Sequence, residues 1–451
     1  MTHAATLSGV VLAAGQGTRL QSARPKVLHP LGGQPLVTYA VETIAAATGQ
    51  PPVLVVGPGA EAVRAALGER VIYVVQPEPL GTADAVRQAE TALKGGAAAV
   101  LVTYADMPLL RPETLTALAE TQAANSGPLT LLSLDSPHRA DFGRVLRNNA
   151  GEVQAVIEAA QATPLQRRLT EVNVGAYCFN AQWLWANLPR LPLSPKGEYY
   201  LTDLVGQAVQ EGGRVAAVTI DDEDEVIGVN NRAQLAEAEA ALRRRINRRW
   251  MLAGVTLLDP ATTYIEPSAE LGPDTTVLPN THICGRSVIG AECVLGPNTI
   301  LRDTTIGDRC RVECSVLEGA VLAEDVSVGP FAHLRSGARL ERGVHMGNFG
   351  EVKNSTLGPG VKMGHFSYVG DATLGADVNI GAGTITCNFD GVKKNPTVIG
   401  AGAFVGSDTL LVAPVTLGPG ARTGAGAVVT KDVPADTLAV GMPARAIRKL
   451  K

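Results

Sequence analysis

A six-residue repeat across residues 271–434 is the feature that most constrains the fold of this chain. An aliphatic residue followed by glycine returns about every six positions, as in Ile289-Gly290 and Val405-Gly406. This period is typical of a hexapeptide β-helix, in which three short strands and three turns form one coil. The aliphatic side chain points into the prism and stacks on its equivalents, while glycine turns the corner. The repeat predicts a left-handed parallel β-helix. An all-β sandwich, whose strands recur without a fixed hexad, is the weaker alternative.

The repeat is interrupted once, between residues 382 and 397, before it resumes at Ile399-Gly400. The interrupting segment is polar and carries Lys393 and Lys394 near its tip. In repeat proteins such insertions commonly lie on the binding face. A tolerated surface insertion is the simpler alternative. We predict a loop that leaves its coil and contributes to a binding site.

The N-terminal half alternates between strand and helix patterns. Apolar strand segments occur at residues 8–14, 53–56, 71–75, 98–103 and 129–134. Helical segments at residues 38–47, 60–67, 83–93 and 112–121 separate them. This alternation predicts a Rossmann-like α/β domain with a mostly parallel sheet covered on both faces. Ligands of such sheets bind beyond the carboxyl ends of the strands.

A glycine-rich turn follows the first of these strands. Gly15 and Gly17 leave backbone N–H groups available to phosphate. Arg19 and Lys26 add two cations a few residues later. This combination suits a triphosphate, although the glycines alone would equally indicate a simple strand-to-helix turn.

The two patterns are joined by a charged segment. The acidic run at residues 221–225 is interpreted as a solvated edge, and residues 233–251 predict one long helix. The basic end of that helix, residues 243–249, is interpreted as a solvated face, with a nucleic-acid patch as the weaker alternative. The predicted domains are residues 1–230, a linker helix at 231–252 and the β-helix domain at 253–451.

Composition limits the classes of partner and compartment. A length of 451 residues indicates two or three domains. The net charge of −4 gives no general attraction to nucleic acid or anionic membranes, so neither is predicted as a partner. The six cysteines show no C-x-x-C pair or zinc spacing, which indicates free thiols in a reducing compartment. Because no apolar run reaches the ~18 residues of a membrane span and no signal peptide is seen, a cytoplasmic protein is predicted.

Motifs along the whole chain resemble those of known enzymes. The first turn, Leu12-Ala13-Ala14-Gly15-x-Gly17-Thr18-Arg19 with Pro25-Lys26, resembles the signature of the sugar-nucleotide pyrophosphorylases. Joined to the hexapeptide repeat, the chain resembles the GlmU family of bacterial N-acetylglucosamine-1-phosphate uridylyltransferases and glucosamine-1-phosphate acetyltransferases. Further motifs that carry the resemblance are Gln76 with Leu80-Gly81-Thr82, Asp106-x-Pro108-Leu109, Phe142-Gly143-Arg144, Ile157-Glu158, Asn173-x-Gly175 and Gly228-Val229-Asn230-Asn231.

The resemblance implies uridylyl transfer from UTP to N-acetylglucosamine 1-phosphate in the first domain. Such chemistry depends on positioning and charge neutralisation. Arg19 and Lys26 would hold the triphosphate, and Asp106 and Asn230 would offer hard oxygen ligands to Mg²⁺. For the last two, helix caps are the structural alternative. The remaining nucleotide and sugar contacts implied by the family are Leu12, Ala13, Ala14, Gly15, Gln76, Gly81, Thr82, Tyr104, Ala105, Gly143, Glu158 and Asn173.

The resemblance also implies acetyl transfer from acetyl-CoA to glucosamine 1-phosphate in the β-helix. His365 is predicted as the general base that deprotonates the attacking amine, a surface histidine being the alternative. The sugar-phosphate contacts implied by the family are Arg335, Lys353, Tyr368, Asn379 and Lys394. The acetyl-CoA contacts implied by the family are Ala382, Asn388, Phe389, Ser407, Ala425 and Arg445. Enzymes of this type are trimers with sites between neighbouring prisms, so a homotrimer is predicted.

The chain departs from the family pattern at a few positions. Ala105 stands where the family has glycine, Gln16 where lysine is usual and Phe389 where tyrosine is common. The segment around Arg445 also differs. Two other functions stay open at this point: a single-activity sugar-1-phosphate nucleotidyltransferase with a structural or regulatory β-helix, and a hexapeptide scaffold without catalytic activity.

Overall fold

A computed structural model of the chain describes residues 6–15 and 17–449 and divides it into two compact units, Met1–Leu242 and Arg243–Lys451. Gln16 lies outside the described residues. All six cysteines are free thiols. Within the described ranges, no helix combines the length and apolarity that crossing a membrane requires.

The first unit is built on a nine-stranded mixed sheet. Its strands are β1 (Leu7–Ala13), β2 (Val53–Val56), β3 (Ile72–Val75), β4 (Ala99–Tyr104), β5 (Leu129–Asp135), β6 (Arg144–Arg147), β7 (Val153–Ile157), β8 (Glu171–Asn180) and β9 (Val215–Ile220). The order is β9-β5-β8-β4-β1-β2-β3, and the hairpin β6–β7 pairs with β8. Strands β4, β1, β2 and β3 are mutually parallel, as are β5 and β9. A two-stranded hairpin, Pro30–Leu31 with Gln34–Pro35, lies outside this sheet.

The helices of the first unit cover both faces of the sheet. They are α1 (Leu36–Thr48), α2 (Glu61–Leu67), α3 (Thr82–Gln88), α4 (Glu90–Leu93), α5 (Pro112–Ala124), α6 (Ala181–Asn187) and α7 (Asp203–Gln210), and α8 (Arg232–Leu252) continues into the second unit. Single helical turns occur at Thr18–Leu20, Lys26–Leu28, Gln166–Arg168, Leu188–Arg190 and Glu223–Val226. Alternate residues of β1 point to opposite faces of the sheet. Val10 and Leu12 belong to the apolar core on one face, and Val11 belongs to the core on the other.

The structure differs from the sequence-based expectation in two places. The segment predicted as one helix at residues 83–93 forms two helices, because the helical hydrogen bonding is interrupted at Ala89. Strand β8 runs antiparallel to both of its neighbours, β4 and β5. Since β8 is buried along almost its whole length, its apolar pattern matches that of a parallel strand and carries no information on direction.

The second unit is the predicted left-handed parallel β-helix. The first face consists of Thr256–Leu257, Thr276–Val277, Val294–Leu295, Arg311–Val312, Ser327–Val328, His345–Met346, Lys362–Met363, Asn379–Ile380, Phe404–Val405, Arg422–Thr423, Thr437–Gly441 and Ala444–Lys449. The second face consists of Thr263–Ile265, Thr281–Cys284, Ile300–Arg302, Val316–Glu318, His333–Leu334, Gly350–Lys353, Ser367–Gly370, Ile385–Cys387, Leu410–Val412 and Val428–Val429. The third face consists of Glu270–Leu271, Val288–Ile289, Thr305–Ile306, Val321–Leu322, Arg339–Leu340, Thr356–Leu357, Ala372–Leu374, Thr397–Ile399 and Val415–Leu417.

The interrupted hexad is a loop ejected from one coil. On the first face Asn379 pairs with Lys362, 17 residues before it, and with Phe404, 25 residues after it, so the coil between Asn379 and Phe404 holds the extra residues. The extra residues form a tight hairpin in which Asn395 donates its N–H to the carbonyl of Asn388 at 2.7 Å. The parallel pairing on all three faces continues beyond the loop, so the insertion leaves the prism intact.

We predict that inward side chains stabilise the β-helix and outward ones on the same strand do not. Leu340 is 1% exposed and pairs with Leu322 and Leu357 in the adjacent coils. Leu340→Ala should lower the free energy of unfolding by about 2–5 kcal/mol, because it leaves a cavity that the stack cannot fill. Urea unfolding followed by circular dichroism measures this.

The matched control is Arg339→Ala, which removes an exposed side chain from the same strand. It should change the free energy of unfolding by only about 0.5 kcal/mol. Equal effects of the two substitutions would contradict the core role of Leu340.

Candidate active sites

Lys26 is at the centre of the first site. It lies in the helical turn Lys26–Leu28, after the glycine-rich turn that ends β1. Its Nζ atom is 2.5 Å from Oδ2 of Asp106 and 2.7 Å from Oδ1 of Asn230. Arg19 donates to the same Asn230 oxygen at 3.0 Å. The four residues predicted for the triphosphate and the metal therefore meet at one point.

Neither predicted metal ligand serves as a helix cap. The helix after Asp106 begins only at Pro112. Helix α8 is capped by Asn231, whose Oδ1 accepts from the N–H of Gln234 at 2.9 Å. The capping alternative is thus wrong, and the carboxylate of Asp106 and the amide oxygen of Asn230 face cations instead.

A cleft of about 450 Å³ opens beside Lys26. Ala13, Ala14 and Gly15 line it at the carboxyl end of β1, and Gln76 lines it after β3. This is the edge at which parallel sheets bind their ligands. Another cavity, of about 800 Å³, lies between β7 and β9 and contains none of the predicted residues.

Backbone geometry holds the wall of this cleft in place. Leu12 accepts the N–H of Ala105 at 3.0 Å, which joins β1 to the segment that carries Asp106. Gly17 has φ of 61°, and a Cβ there would collide with the side chain of Lys26. Ala105 is fully buried in the apolar core on one face of the sheet, so its methyl group is accommodated there.

The side chains predicted for the sugar lie around Tyr104. Burial raises the pKa of this phenol, and the nearby carboxylates of Glu158 and Asp106 raise it further. The hydroxyl of Thr82 accepts from the N–H of Leu201 at 3.0 Å. Glu158 accepts from the hydroxyl of Thr202 at 2.8 Å. These contacts hold buried and half-buried polar groups around Tyr104.

Asn173 completes this side of the first site. Its N–H donates to the carbonyl of Gly143 at 2.8 Å, and its Nδ2 donates to the hydroxyl of Tyr177 at 2.7 Å. Its Oδ1 is buried and has no hydrogen-bond partner among the described residues. A buried acceptor without a donor is costly unless a ligand supplies one.

The second site contains a cluster of three cations at one edge of the second face. Arg335 and Lys353 come from consecutive coils and Lys394 comes from the ejected loop, and Arg335 pairs with Glu351 at 2.9 Å. The pKa of Lys353 is lowered by the neighbouring ammonium of Lys394 and by Arg335. Three cations that repel one another indicate a site prepared for an anion such as phosphate.

Asp371 anchors the ejected loop beside these cations. Its carboxylate accepts from Nδ2 of Asn388 at 2.5 Å and from Nδ2 of Asn354 at 2.6 Å. Burial raises the pKa of Asp371, but these hydrogen bonds and the charges of Lys394 and Lys353 outweigh it and leave the pKa lowered. Sequence analysis missed this residue, because an aspartate at a coil corner is common throughout the repeat.

Tyr368 lies on the second face beside Asn388, at the start of the ejected loop. Its hydroxyl is 3.4 Å from Nδ2 of Asn388. A Cβ at Gly370 would collide with that hydroxyl and would approach Nδ2 of Asn388 to 2.8 Å. Glycine at position 370 therefore leaves room for the side chains of Tyr368 and Asn388, both of which are predicted ligand contacts.

His365 lies at the corner between the first and second faces. Hydrogen bonds connect this corner to equivalent corners of the following coils: Gly383 to Phe366 at 2.7 Å, Asp408 to Ala382 at 2.6 Å and Gly426 to Ser407 at 2.8 Å. The predicted acetyl-CoA residues Ala382, Ser407 and Ala425 therefore form one column above His365.

Three predicted residues lie outside both the cation cluster and the column of corners that contains His365. Asn379 lies on the first face, away from the cation cluster on the second. Phe389 is exposed at the loop, where it pairs with Lys394. Arg445 lies on the last strand of the first face, opposite Val440. A single chain thus distributes the predicted acetyltransferase residues over two faces and one corner.

Comparison with known proteins decides the family. A MobA-like NTP transferase domain matches residues 9–170, and the hexapeptide repeat of succinyl-transferase matches residues 287–314 and 396–431. The protein named Bifunctional protein GlmU from Heliobacterium modesticaldum is 46% identical over 96% of this chain and 95% of its own length. Proteins of the same name from Pelobacter propionicus and Halalkalibacterium halodurans are 45% and 42% identical, each over 96% of this chain and 95% of their own length.

The chain belongs to the GlmU family. It is a bifunctional transferase that combines a uridylyltransferase with an acetyltransferase, and both predicted folds are confirmed. The β-helix of a GlmU chain is thus an enzyme domain, which disfavours the single-activity alternative and excludes a scaffold without catalysis.

We predict that Asp371→Asn releases the ejected loop of this GlmU chain. Asn354 and Asn388 donate to different oxygens of Asp371, and an amide has only one oxygen, so its NH₂ would face one of these two donors. Cleavage by trypsin after Lys393 or Lys394 should become several-fold faster, as measured by mass spectrometry of the fragments.

The matched control for this prediction is Asp377→Asn, at another coil corner with positive φ. Its cleavage rate should remain that of the unmodified chain. Equal protection of the loop in both variants would contradict the anchoring role of Asp371.

Proposed function

We propose that this chain makes UDP-N-acetylglucosamine in two steps. The second unit acetylates glucosamine 1-phosphate with acetyl-CoA, and the first couples the product to UTP and releases pyrophosphate. The observation that carries this proposal is the presence of two separate groups of cations, Lys26 with Arg19 in one unit and Arg335, Lys353 and Lys394 in the other. Each matches one phosphorylated substrate. We further propose residues 1–230, 231–252 and 253–451 as the functional domains of a cytoplasmic enzyme.

The first reaction centre is proposed to act by charge neutralisation. The phosphate of N-acetylglucosamine 1-phosphate attacks the α-phosphorus of UTP, and the bond to the β-phosphate breaks. Lys26 and Arg19 balance the charge of the triphosphate, and the N–H groups of the turn at Gly15 orient it. No covalent intermediate on the protein is needed, because positioning is most of the task.

Asp106 and Asn230 fit Mg²⁺. Their side-chain oxygens converge on one cation, the ammonium of Lys26, at 2.5 and 2.7 Å. One carboxylate oxygen and one amide oxygen suit Mg²⁺, because this ion takes few protein ligands and keeps phosphate oxygens and water. Bound Mg²⁺ supplies further charge neutralisation at the phosphates.

The sugar and base contacts follow from unsatisfied polar groups. The buried Oδ1 of Asn173 needs a donor, which the amide N–H or a hydroxyl of N-acetylglucosamine supplies. Glu158 accepts from a sugar hydroxyl with the oxygen that Thr202 leaves free. Gln76 and the backbone of Gly81 and Thr82 are proposed to contact the uracil at the other end of the cleft.

The second reaction centre is proposed to use His365 as general base. His365 takes a proton from the amine of glucosamine 1-phosphate, the amine attacks the thioester carbonyl of acetyl-CoA, and the coenzyme A thiolate leaves. Arg335, Lys353 and Lys394 hold the acceptor's phosphate. General-base catalysis of this kind contributes about 10²–10⁴-fold to the rate.

A homotrimer is proposed because one chain does not assemble this set. Tyr368 and the cations lie on the second face, Asn379 lies on the first and His365 lies at the corner between them. Neighbouring prisms that pack side by side bring different faces together. The ejected loop, with Asn388, Phe389 and Lys394, then reaches acetyl-CoA or acceptor bound between two chains.

We predict that His365→Ala abolishes acetyl transfer and spares uridylyl transfer. Coenzyme A release from acetyl-CoA and glucosamine 1-phosphate should fall about 10²–10⁴-fold, because the amine loses its base. The control is pyrophosphate release from UTP and N-acetylglucosamine 1-phosphate by the same variant, which should be unchanged. Undiminished coenzyme A release would reject His365 as the base.

For the first site, we predict a substitution that abolishes uridylyl transfer and spares acetyl transfer. Asp106→Ala should lower pyrophosphate release at least 10²-fold and leave coenzyme A release intact, because it removes a proposed Mg²⁺ ligand. EDTA added to the unmodified chain should have the same selective effect, reversed by excess Mg²⁺. Uridylyl transfer that survives EDTA would contradict the metal assignment.

A further inference from the structure

A buried carboxylate that no step above uses lies behind the nucleotide cleft. Asp84, on α3, is 3% exposed. Its Oδ1 accepts from Arg87 at 2.5 Å and from Gln88 at 3.3 Å. Its Oδ2 accepts from Nε2 of Gln76 at 2.9 Å. The carboxylate therefore connects a charged pair on the helix to a side chain that lines the cleft.

The contacts of Gln76 determine which way its amide points. Nε2 donates both to Oδ2 of Asp84 and to the carbonyl of Gly81, at 3.0 Å. Both partners only accept, so the nitrogen must occupy this side. Oε1 is then the free end, and none of the described residues donates to it. Since Gln76 lines the cleft, it presents an acceptor, Oε1, to a bound ligand and not a donor.

We propose that Asp84 is a positioning residue that sets the base specificity of the nucleotide site through Gln76. The proposal rests on the proposed function of Gln76 as the residue that contacts uracil. Uracil presents an N3–H donor, which an oriented Oε1 accepts. Cytosine presents an unprotonated N3 acceptor and an amino donor at the same edge, so N3 faces Oε1 without a proton. Asp84 thereby favours UTP over CTP without contacting either.

The Asp84→Asn substitution would remove the preference of Gln76 for one orientation. The new amide keeps its single oxygen toward Arg87 and Gln88, because two donors lie there, and its NH₂ faces Gln76. This NH₂ favours a rotated Gln76 whose Oε1 accepts from it, while the carbonyl of Gly81 still favours Nε2 on this side. In the rotated orientation the NH₂ of Gln76 points into the cleft, where it suits the N3 acceptor of cytosine and opposes the N3–H of uracil.

The test is the ratio of kcat/KM for UTP to kcat/KM for CTP, measured on the full chain. We expect Asp84→Asn to lower this ratio about 10- to 100-fold, since a polar site rejects the wrong hydrogen-bonding edge by at least that much. Asp84→Ala, which removes the acceptor without offering a donor, should lower the ratio less. It also keeps the proposal testable if the asparagine variant fails to fold.

The matched control is Glu90→Gln, a carboxylate-to-amide change on α4 at a residue that pairs with Lys94, four positions further along the chain. It should keep the UTP:CTP ratio of the unmodified chain. Thermal unfolding of each variant, followed by circular dichroism, reports on the integrity of the first unit, which contains Asp84.

A further variant, Gln76→Ala, separates the two assignments. If Gln76→Ala lowers the ratio while both Asp84 variants keep it, the role of Asp84 is overturned and that of Gln76 stands. If Gln76→Ala keeps the ratio, the uracil contact itself is overturned and the inference with it. A lowered ratio in Gln76→Ala and in both Asp84 variants, with Glu90→Gln unchanged, supports the proposal.

Discussion

Stacking of one coil on the next is the interaction on which the second unit depends. Each inward aliphatic side chain is buried and stacks on its equivalents above and below, and the parallel strands of a face pair with strands one coil away. A single coil would leave its apolar side exposed, so the stability belongs to the stack. Because the interior alone carries this stability, corners and outward positions are free for chemistry, and His365, Arg335 and Lys353 occupy such positions.

The first unit separates stability from chemistry by a different route. Valine-rich strands are buried on both faces, and the polar residues follow the strands at their carboxyl ends. Lys26, Asp106 and Asn230 come from three distant parts of the sequence and meet there only because the sheet aligns those ends. The cleft beside them is thus a product of topology, while its specificity depends on individual side chains such as Gln76.

The sequence predicted the parts of this protein that have a periodic pattern better than the contacts between residues that are distant in sequence. The hexad specified the β-helix and even its one interruption, since a period of six has few structural interpretations. Alternating apolar segments indicated the sheet, but the reversed direction of β8 left no mark in a strand buried on both faces. The residues missed, Asp371 and Asp84, act through other side chains, and such contacts depend on the folded chain. The separation of Asn379 from the cation cluster likewise required the assignment of each strand to a face.

The fixed register of the β-helix also sets the distances between residues of its site along the prism axis. Arg335 and Lys353 come from consecutive coils of one face, and coils follow one another at the spacing of paired strands, about 4.8 Å. Distances along the prism therefore change in whole-coil steps, whereas distances across it change through side-chain length. An acceptor with a bulkier anionic group would require the loss or gain of an entire coil, or a longer ejected loop, before any point substitution could accommodate it. The loop offers such an adjustment because it changes the length of one coil and leaves the strand pairing on all three faces intact.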